Sequence, residues 1–491
     1  MKLVFHGHDE RYTVEQSLMN LLPDERPVYA PPTAEDESFA VVSLSETGDE
    51  ACATVEMTLR GKSARREERG ALRGSEFDRE GRRRYLIARA FYLAVRELTG
   101  VSPPWGMLTG VRPDKPATWA LQSGKTPREV QNYLTEHYFL SPSRAALATQ
   151  TASAAVKAAR RLAPRDIDLY VSVPFCPTRC AYCSFVSQSV ERSFDLVEPY
   201  VRALSEEIAA GGDMARRAGL RVRTYYVGGG TPTTLSPEQL HAVLTALETH
   251  FDLADCSERT VEAGRPDTIT REKLAVLRSH GVTRVSVNPQ AMDDNVLRAI
   301  GRRHTVSDVA DAMALVREAG FAHVNMDLIA GLPCDTAEGF RRSLTACLAF
   351  GTDNLTVHTL ALKKGSRITQ EKTAIPSGET VRQMLESAEE LLRGAGFAPY
   401  YLYRQKYMSG SFENIGWSRE GAECLYNIDI MSELCSILSF GAGGSTKTVV
   451  PGTNRITRSF HPKYPAEYIA QPEKSLREIE AFGAFYENTV N

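Results

Sequence analysis

The sequence of 491 residues lacks any run of about 18 consecutive apolar residues, so it predicts no membrane-spanning helix. It also lacks an excess of charge, because 58 Lys and Arg stand against 61 Asp and Glu. That balance argues against nucleic acid and against a polybasic membrane surface as partners. The N-terminus turns polar within a few residues, unlike a secretory signal. The nine cysteines are few outside one cluster, so we expect no disulfide framework and a cytoplasmic location.

The length favours more than one domain. Residues 1–165 predict an α+β region with the strand-like segments FAVVSLS and CATVEMTL. A charged stretch from Lys62 to Arg84 follows, and we interpret it as a solvated loop or helix face. Residues 365–491 are predicted to form a small C-terminal domain.

Residues 166–364 show the most regular pattern of the chain. Short β-rich runs alternate there with helical patterns, and the runs begin near residues 168, 222, 259, 283, 322 and 353. Six such repeats predict a parallel sheet with right-handed crossovers. The predicted fold class is therefore α/β, with a partial (β/α)6 barrel that lacks two units of a closed TIM barrel.

Special residues stand where these predicted strands end. The cysteines follow the first strand and the turn GGGTP follows the second. Glu262, Gln290 and Asp327 belong to the ends of the third, fourth and fifth strands. Because the carboxyl ends of parallel strands meet at one edge of a barrel, we expect these residues to surround one site.

Three cysteines, Cys176, Cys180 and Cys183, lie in the segment VPFCPTRCAYCSF at C-x3-C-x2-C spacing. A structural zinc site needs four ligands, usually in two separated pairs, and no histidine lies in this loop. Three thiolates fit an iron–sulfur cluster in which one iron is left open for a small ligand. Zinc and inert thiols remain the alternatives.

The same spacing, with Tyr182 just before the third cysteine, resembles the signature of radical S-adenosylmethionine (SAM) enzymes. The resemblance implies that the three cysteines bind a [4Fe-4S] cluster, act through it in catalysis, and leave one iron to be chelated by SAM. In that family, one-electron reduction cleaves SAM and yields a 5′-deoxyadenosyl radical that abstracts a substrate hydrogen. The protein holds, aims and shields the cofactor.

Five segments occur in the order shown by the oxygen-independent coproporphyrinogen III oxidase family: YVSVPFCPTRCAYCSF, GGGTPTTL, VEAGRPDTI, SVNPQAMDDNVLRAIGRRHT and VNMDLIAGLP. The resemblance is closest to the anaerobic coproporphyrinogen dehydrogenases of Gram-positive bacteria, whose N-terminal extension carries a motif like WGMLTGVRP at residues 105–113. It implies one SAM, with a second SAM as an open alternative. The SAM-contacting positions that it implies are Tyr170, Tyr182, Gly229, Gly230, Thr231, Glu262, Gln290, Arg302, Asp327 and Ala361.

The resemblance implies a radical SAM oxidoreductase of haem biosynthesis that converts two propionates of coproporphyrinogen III to vinyls and forms protoporphyrinogen IX. It implies a tetrapyrrole substrate, a flavodoxin- or ferredoxin-like electron donor and an unknown electron acceptor. The alternatives are a haem chaperone of the same family or another radical SAM reaction. Basic candidates for the propionates are Arg112, Lys363, Lys364, Arg367, Arg404, Lys406 and Lys447.

Three substitutions bear on the choice between oxidase and chaperone. The chaperones carry an H-N-x-x-Y-W motif, and here Tyr426 stands in place of its histidine. This difference favours the oxidase. Well-characterised oxidases have a fourth cysteine where this chain has Phe185, and a histidine where it has Ser172. These two differences argue against direct oxidase activity, and the one at Phe185 is shared with the chaperones.

Overall fold

The structure is a computed structural model that describes residues 1–183, 188–363, 365–405, 412–450, 453 and 455–489. The chain divides into two compact units, Met1–Thr149 and Gln150–Asn491. Within the described ranges, every helix is too short or too polar to cross a membrane.

The first unit combines one sheet with helices, as the sequence predicts. Strand β1 pairs in parallel with β2, and β2, β3 and β4 form an antiparallel meander. The apolar face of α2, including Ile87, Phe91 and Val95, is buried in the core that this sheet forms. The elements of this unit are β1 Lys2–His6, α1 Arg11–Leu21, β2 Ser38–Thr47, β3 Glu50–Leu59, β4 Lys62–Ala71, α2 Glu76–Thr99, α3 Lys115–Gln122 and α4 Pro127–Tyr138.

The charged stretch from Lys62 to Arg84 differs from its interpretation as a loop or helix face. Its first ten residues form the edge strand β4, which pairs with β3 along its whole length. Only Ala64 of this strand is fully buried, so the charged side chains remain solvated while one edge of the backbone pairs with β3. Alternating charges on an edge strand discourage pairing with another chain.

The second unit contains a large sheet that positions the candidate site. In the described residues its order is β13-β14-β12-β11-β10-β9-β8-β5-β15-β16-β17. Its strands, with a separate short pair β6 and β7, are β5 Asp166–Val173, β6 Phe175–Cys176, β7 Gln188–Ser189, β8 Arg221–Gly229, β9 Glu258–Gly264, β10 Arg284–Val287, β11 His323–Ala330, β12 Asn354–Thr359, β13 Ala398–Arg404, β14 Glu413–Ser418, β15 Ser436–Phe440, β16 Ser445–Val449 and β17 Ile456–Phe460.

The six strands predicted from the sequence are β5 and β8 to β12, and all of their neighbouring pairs are parallel. The α/β class and the partial (β/α)6 barrel are therefore confirmed. The helices are α5 Pro142–Ala159, α6 Val190–Arg217, α7 Pro237–His250, α8 Arg271–Ser279, α9 Asp294–Ala299, α10 Val306–Ala319, α11 Ala337–Ala349, α12 Arg367–Gln370, α13 Gly378–Gly394, α14 Leu425–Ser432, α15 Pro465–Ala470 and α16 Pro472–Thr489.

The two units differ from the three predicted ranges 1–165, 166–364 and 365–491. The C-terminal strands extend the barrel sheet on both edges, because β14 pairs with β12 and β15 pairs with β5. Residues after 364 are thus in the same compact unit as the barrel strands. The helix α14 also belongs to this C-terminal part and supplies Asn427 and Met431 to the cavity described below.

Candidate active site

A cavity of about 400 Å³ lies at the carboxyl ends of the parallel strands. Every strand from β8 to β12, or the residue just after it, contributes to its wall, and the loop after β5 supplies the cysteines. Residues of β13, β14 and α14 complete the wall. The cysteines, the glycine turn, Glu262, Gln290 and Asp327, which the sequence places at strand ends, therefore do meet at one edge of the sheet, as expected.

The three cysteines of the loop after β5 line this cavity. Cys180 is 8% exposed, whereas Cys176 and Cys183 are half-buried. The hydroxyl of Thr231, which belongs to the glycine turn, donates a hydrogen bond to Cys176 Sγ at 3.5 Å. A donor aimed at sulfur favours the thiolate, which is the form that binds metals. Three thiols that share one short loop and one cavity fit the cysteines of a [4Fe-4S] cluster.

The glycine turn after β8 packs directly against the segment that precedes the first cysteine. Gly230 donates its N–H to Val173 O at 2.8 Å, and Thr231 donates to Phe175 O at 2.7 Å. A Cβ on Gly230 would lie 2.5 Å from Phe175 O and 2.9 Å from Phe175 N, both of them backbone atoms. Gly229 has a φ of +104°, which L side chains rarely adopt. The turn therefore requires glycine at both positions.

Two buried amides after β10 indicate a ligand with hydrogen-bond donors. Asn288 and Gln290 are 8% and 7% exposed, and their oxygens Oδ1 and Oε1 accept no hydrogen bond from the described residues. An unsatisfied buried acceptor costs about 1–3 kcal/mol. Gln290 is held in the left-handed region, at φ +71°, by backbone hydrogen bonds with Asp327 and Ile329. The amino and hydroxyl groups of SAM are donors of the kind that these oxygens lack.

Glu262 is the most strongly perturbed carboxyl group in the wall. It lies near the carboxyl end of β9 and accepts a 2.5 Å hydrogen bond from the phenol of Tyr226 on β8. Burial raises the pKa of Glu262 to about 7; the Tyr226 bond opposes the rise, and the nearby carboxylate of Asp327 adds to it. The carboxyl group thus changes charge near neutral pH.

Asp327 on β11 belongs to a polar chain along the same wall. Asn325 donates from Nδ2 to Asp327 Oδ1 at 2.8 Å, and His358 Nε2 lies 3.7 Å from Asp327 Oδ2. The other ring nitrogen of His358 lies 3.4 Å from the phenol oxygen of Tyr403. Two carboxylates, an imidazole and a phenol therefore face one cavity, so this part of the wall can orient polar ligand groups.

Two buried guanidinium groups lie next to the cysteine loop. Arg302 is 8% exposed and donates to the phenol of Tyr182 at 2.9 Å and to Asn288 O at 3.3 Å. Burial opposes its charge, but the Cys180 thiol and Tyr182 outweigh burial, so the pKa of Arg302 is raised. Arg265 is the second guanidinium, and it also lines the cavity.

Nine of the ten implied SAM positions line the cavity: Tyr182, Gly229, Gly230, Thr231, Glu262, Gln290, Arg302, Asp327 and Ala361. Tyr170 is the exception, because it lies in β5 behind the wall. Its ring stacks on Tyr226 at 6.3 Å and on Tyr426 at 6.2 Å. Tyr170 therefore contacts the wall residue Tyr226 and does not line the cavity itself.

The basic candidates for propionates are dispersed. Lys363 lines the cavity. Arg404 and Lys447 are buried, and Lys447 donates to Ile430 O at 3.0 Å. Arg112 belongs to the first unit and Arg367 is exposed at the start of α12. Three residues singled out from the sequence, Phe185, Lys364 and Lys406, lie outside the described residues.

Several wall residues are not among the site residues predicted from the sequence, including Tyr226, Arg265, His358 and Tyr403. Tyr226 and His358 lie within apolar β-rich runs and are indistinguishable there from core residues. Asn288 belongs to the segment Asn288-Pro289-Gln290 that the sequence places at the end of the fourth predicted strand, and it directly follows β10. Tyr403 comes from β13, whose pairing beside β14 could not be read from periodicity.

The helix α14 forms one side of the cavity wall, and the start of this helix is buried. Tyr426 at its start is 4% exposed, and its ring stacks on Tyr226 at 4.7 Å. Glu258 accepts hydrogen bonds from the Leu425 N–H at 3.0 Å and the Tyr426 N–H at 3.3 Å. A carboxylate at a helix N-terminus is favoured by the unpaired N–H groups and by the helix dipole.

Comparison with known proteins bears on the family of this chain. Residues 170–347 match the Radical SAM superfamily. The oxygen-independent coproporphyrinogen-III oxidase-like protein HemZ of Bacillus subtilis is 38% identical over 375 residues, 75% of each chain. The haem chaperone HemW of Mycobacterium tuberculosis is 31% identical over 328 residues, 64% of this chain and 77% of that protein. The structure of coproporphyrinogen III oxidase HemN from Escherichia coli shares the fold, with a TM-score of 0.52, 24% identity and coverage of 65% of this chain and 72% of that chain.

Proposed function

Because the chain belongs to the radical SAM superfamily and, within it, to the oxygen-independent coproporphyrinogen III oxidase family, we propose that it oxidatively decarboxylates coproporphyrinogen III. Two propionates become vinyl groups, and the product is protoporphyrinogen IX. The observation that carries the proposal is one cavity that unites three loop cysteines, a glycine turn, two carboxylates and two amide oxygens that accept no hydrogen bond from the described part of the chain.

The wall residues have two proposed functions, which are to hold the cluster and to bind SAM. Cys176, Cys180 and Cys183 hold the [4Fe-4S] cluster, and the turn at Gly229 and Gly230 lets the backbone approach SAM. The remaining SAM contacts are assigned to Tyr182, Thr231, Glu262, Gln290, Arg302, Asp327 and Ala361, all of them wall residues. When bound, the cluster and SAM would supply the removal of a hydrogen atom from a carbon of the propionate side chain.

The chemical balance defines what else the reaction needs. Each propionate loses one hydrogen atom, one CO2 and one electron, and a carbon–carbon double bond remains. The hydrogen atom goes to the nucleoside part of SAM, and the electron goes to a one-electron acceptor. We assign the reduction of the cluster to a flavodoxin- or ferredoxin-like donor in the cytoplasm. Lys363 and His358 are basic groups of the wall that a propionate can meet.

The position of Tyr426 supports turnover over haem trafficking. This residue replaces the histidine of the chaperone motif, and it is buried in a stack with Tyr170 and Tyr226. A phenol enclosed by two other rings does not present an axial ligand to a haem that arrives from solvent. The chaperone is therefore an outcome of the test below and not a second proposal.

The test uses the full chain, reconstituted anaerobically with iron and sulfide and supplied with dithionite, SAM and coproporphyrinogen III. We expect 5′-deoxyadenosine and a tetrapyrrole product that has lost two CO2, both followed by mass spectrometry. Cys183→Ala is expected to abolish both products. Cys334→Ala is the matched control, since this cysteine is exposed and outside the cavity wall.

Two results would contradict the proposal in different ways. Cleavage of SAM without any change in the tetrapyrrole would contradict coproporphyrinogen as the substrate. Retention of haem by the protein on gel filtration, together with no tetrapyrrole turnover, would favour the chaperone.

A further inference from the structure

Arg265 is a buried guanidinium that the proposed SAM contacts do not include. It follows β9, three residues after Glu262, and is 3% exposed. Its Nε and Nη2 donate to the two oxygens of Asp267 at 3.0 and 2.9 Å. This bidentate pair fixes the plane of the guanidinium. The third nitrogen, Nη1, is consequently aimed in one direction.

That direction is the cysteine loop. Arg265 Nη1 donates to Thr178 Oγ1 at 3.1 Å and lies 4.0 Å from Cys180 Sγ. It also lies 3.4 Å from the backbone oxygen of Thr178. The β9 end of the barrel is thus joined to the middle of the C-x3-C-x2-C segment by one side chain. Cys180 is the most buried of the three cysteines, so solvent screens this contact least.

We propose that Arg265 is a positioning residue that donates to the Cys180 thiolate and raises the reduction potential of the bound cluster, with Asp267 limiting the effect. This inference rests on the cluster of the proposed function. Reduction adds one negative charge to a cluster that three thiolates already make anionic. A cationic donor at a ligand sulfur stabilises the reduced state more than the oxidised state.

Asp267 provides a second test, because its substitution should shift the reduction potential in the opposite direction. Its carboxylate lies within 2.9 Å of the guanidinium and cancels part of the field that Arg265 exerts at Cys180. Removal of the guanidinium should therefore make the cluster harder to reduce. Removal of the negative charge at Asp267, with Arg265 retained, should make it easier to reduce. A residue that only shapes the loop would not produce shifts of opposite direction.

The experiment is a redox titration of the reconstituted full chain, in the absence of SAM, followed by the electron paramagnetic resonance signal of the reduced cluster. Dithionite with mediators is the reductant. For Arg265→Met we expect the ratio of reduced to oxidised cluster at a fixed potential to fall about tenfold, which is 59 mV for one electron. For Arg265→Lys we expect a smaller fall. For Asp267→Asn we expect the ratio to rise.

A matched pair at the other end of the barrel serves as the control. Arg221 and Asp166, the first residues of β8 and β5, form the same bidentate contact at 2.6 and 3.0 Å. At about 3.3 Å per residue, the length of β5 separates this pair from the cysteine loop by roughly 20 Å. Arg221→Met and Asp166→Asn should leave the potential unchanged.

The outcomes separate the inference from the proposed function. Equal potentials in Arg265→Met and the unaltered chain, at equal iron content, would overturn the role of Arg265. A fall in both Arg265→Met and Asp267→Asn would show that the two residues only shape the loop. If Arg265→Met binds no iron, the direction of the shift in reduction potential is still measured with Arg265→Lys and Asp267→Asn. Absence of a cluster signal from the unaltered chain would instead contradict the proposed function itself.

Discussion

The phenol of Tyr226 donates a hydrogen bond to the carboxyl group of Glu262 across the neighbouring strands β8 and β9. Burial raises the pKa of Glu262 to about 7, and this bond is the largest effect that opposes the rise. The phenol itself is held by stacking on Tyr426, which α14 supplies. The charge of the cavity near neutral pH therefore depends on a tyrosine that the packing keeps in place.

The first prediction concerns Tyr226→Phe. If the ionised Glu262 accepts hydrogen bonds from SAM, SAM affinity weakens as the pH falls through about 7. Loss of the phenol, at about 1 kcal/mol for one hydrogen bond, should move this midpoint upward by roughly 0.7 pH units. Isothermal titration of SAM between pH 5.5 and 9 on the reconstituted protein measures the midpoint. Tyr225→Phe is the control, because this buried tyrosine lies on the opposite face of β8. An equal shift in both variants would contradict the assignment.

The second prediction concerns stability and follows from the same pKa. A carboxyl group whose pKa is raised on folding stabilises the protein below its unfolded value, and this contribution is lost as the pH rises through the folded value. For Glu262 this stabilising contribution is lost between about pH 4.5 and about pH 7. Above pH 7 the buried carboxylate should cost about 2 kcal/mol, discounted because the cavity admits some solvent.

Glu262→Gln removes that cost, so the ligand-free variant should be more stable than the unaltered chain at pH 8 and similar to it at pH 4.5. Urea unfolding at the two pH values measures the difference. The variant should also bind SAM more weakly. A variant that is equally destabilised at both pH values would show that Glu262 acts only through packing.

The barrel could be predicted from the sequence because its signals are local. Each parallel strand is a short β-rich run followed by a helical pattern, and each helix begins with recognisable capping residues such as Ser236 and Thr305. The resemblance then placed the SAM positions at strand ends, and nine of the ten line one cavity. The strands β13 to β17 were not foreseen, because which edge of a sheet a strand joins depends on distant pairing.

The site details that escaped prediction depend on side-chain direction. The spacing of the cysteines predicts a cluster, but it does not indicate that Arg265 approaches Cys180 from a different strand. The contact of the partly buried Tyr170 with Tyr426 likewise depends on α14, which lies more than 250 residues later in the sequence. Such contacts form only when the tertiary structure is complete.

The third prediction tests the glycine turn. In Gly230→Ala the new methyl group would meet backbone atoms of Phe175, which cannot rotate away. We expect destabilisation of about 1–3 kcal/mol and a lower iron content, because the displaced segment leads directly into Cys176. Gly378→Ala is the matched control, since a methyl group there meets nothing within 4 Å. Urea unfolding and iron analysis measure both effects. Normal iron content in Gly230→Ala would contradict the coupling of the turn to the cysteine loop.

The fourth prediction concerns the docking of α14 at the amino end of the barrel strands. Glu258, 5% exposed, accepts hydrogen bonds from the first N–H groups of this helix and lies 3.3 Å from Arg284. Arg284 is 2% exposed and also donates to Ala422 O at 2.9 Å, just before the helix. Glu258→Ala leaves a buried guanidinium without its carboxylate, so we expect a loss of about 3–5 kcal/mol in urea unfolding.

The substitution Glu258→Ala should also disturb the cavity, because α14 supplies Asn427 and Met431 to its wall. Glu258→Gln keeps a hydrogen-bond acceptor for the helix N-terminus but removes the charge that Arg284 requires. It should therefore lie between the unaltered chain and Glu258→Ala in both stability and coproporphyrinogen affinity. Glu420→Ala, at an exposed position before the helix, should change neither quantity. If Glu258→Ala lost stability while substrate affinity remained unchanged, α14 would be a structural support and not part of the binding site.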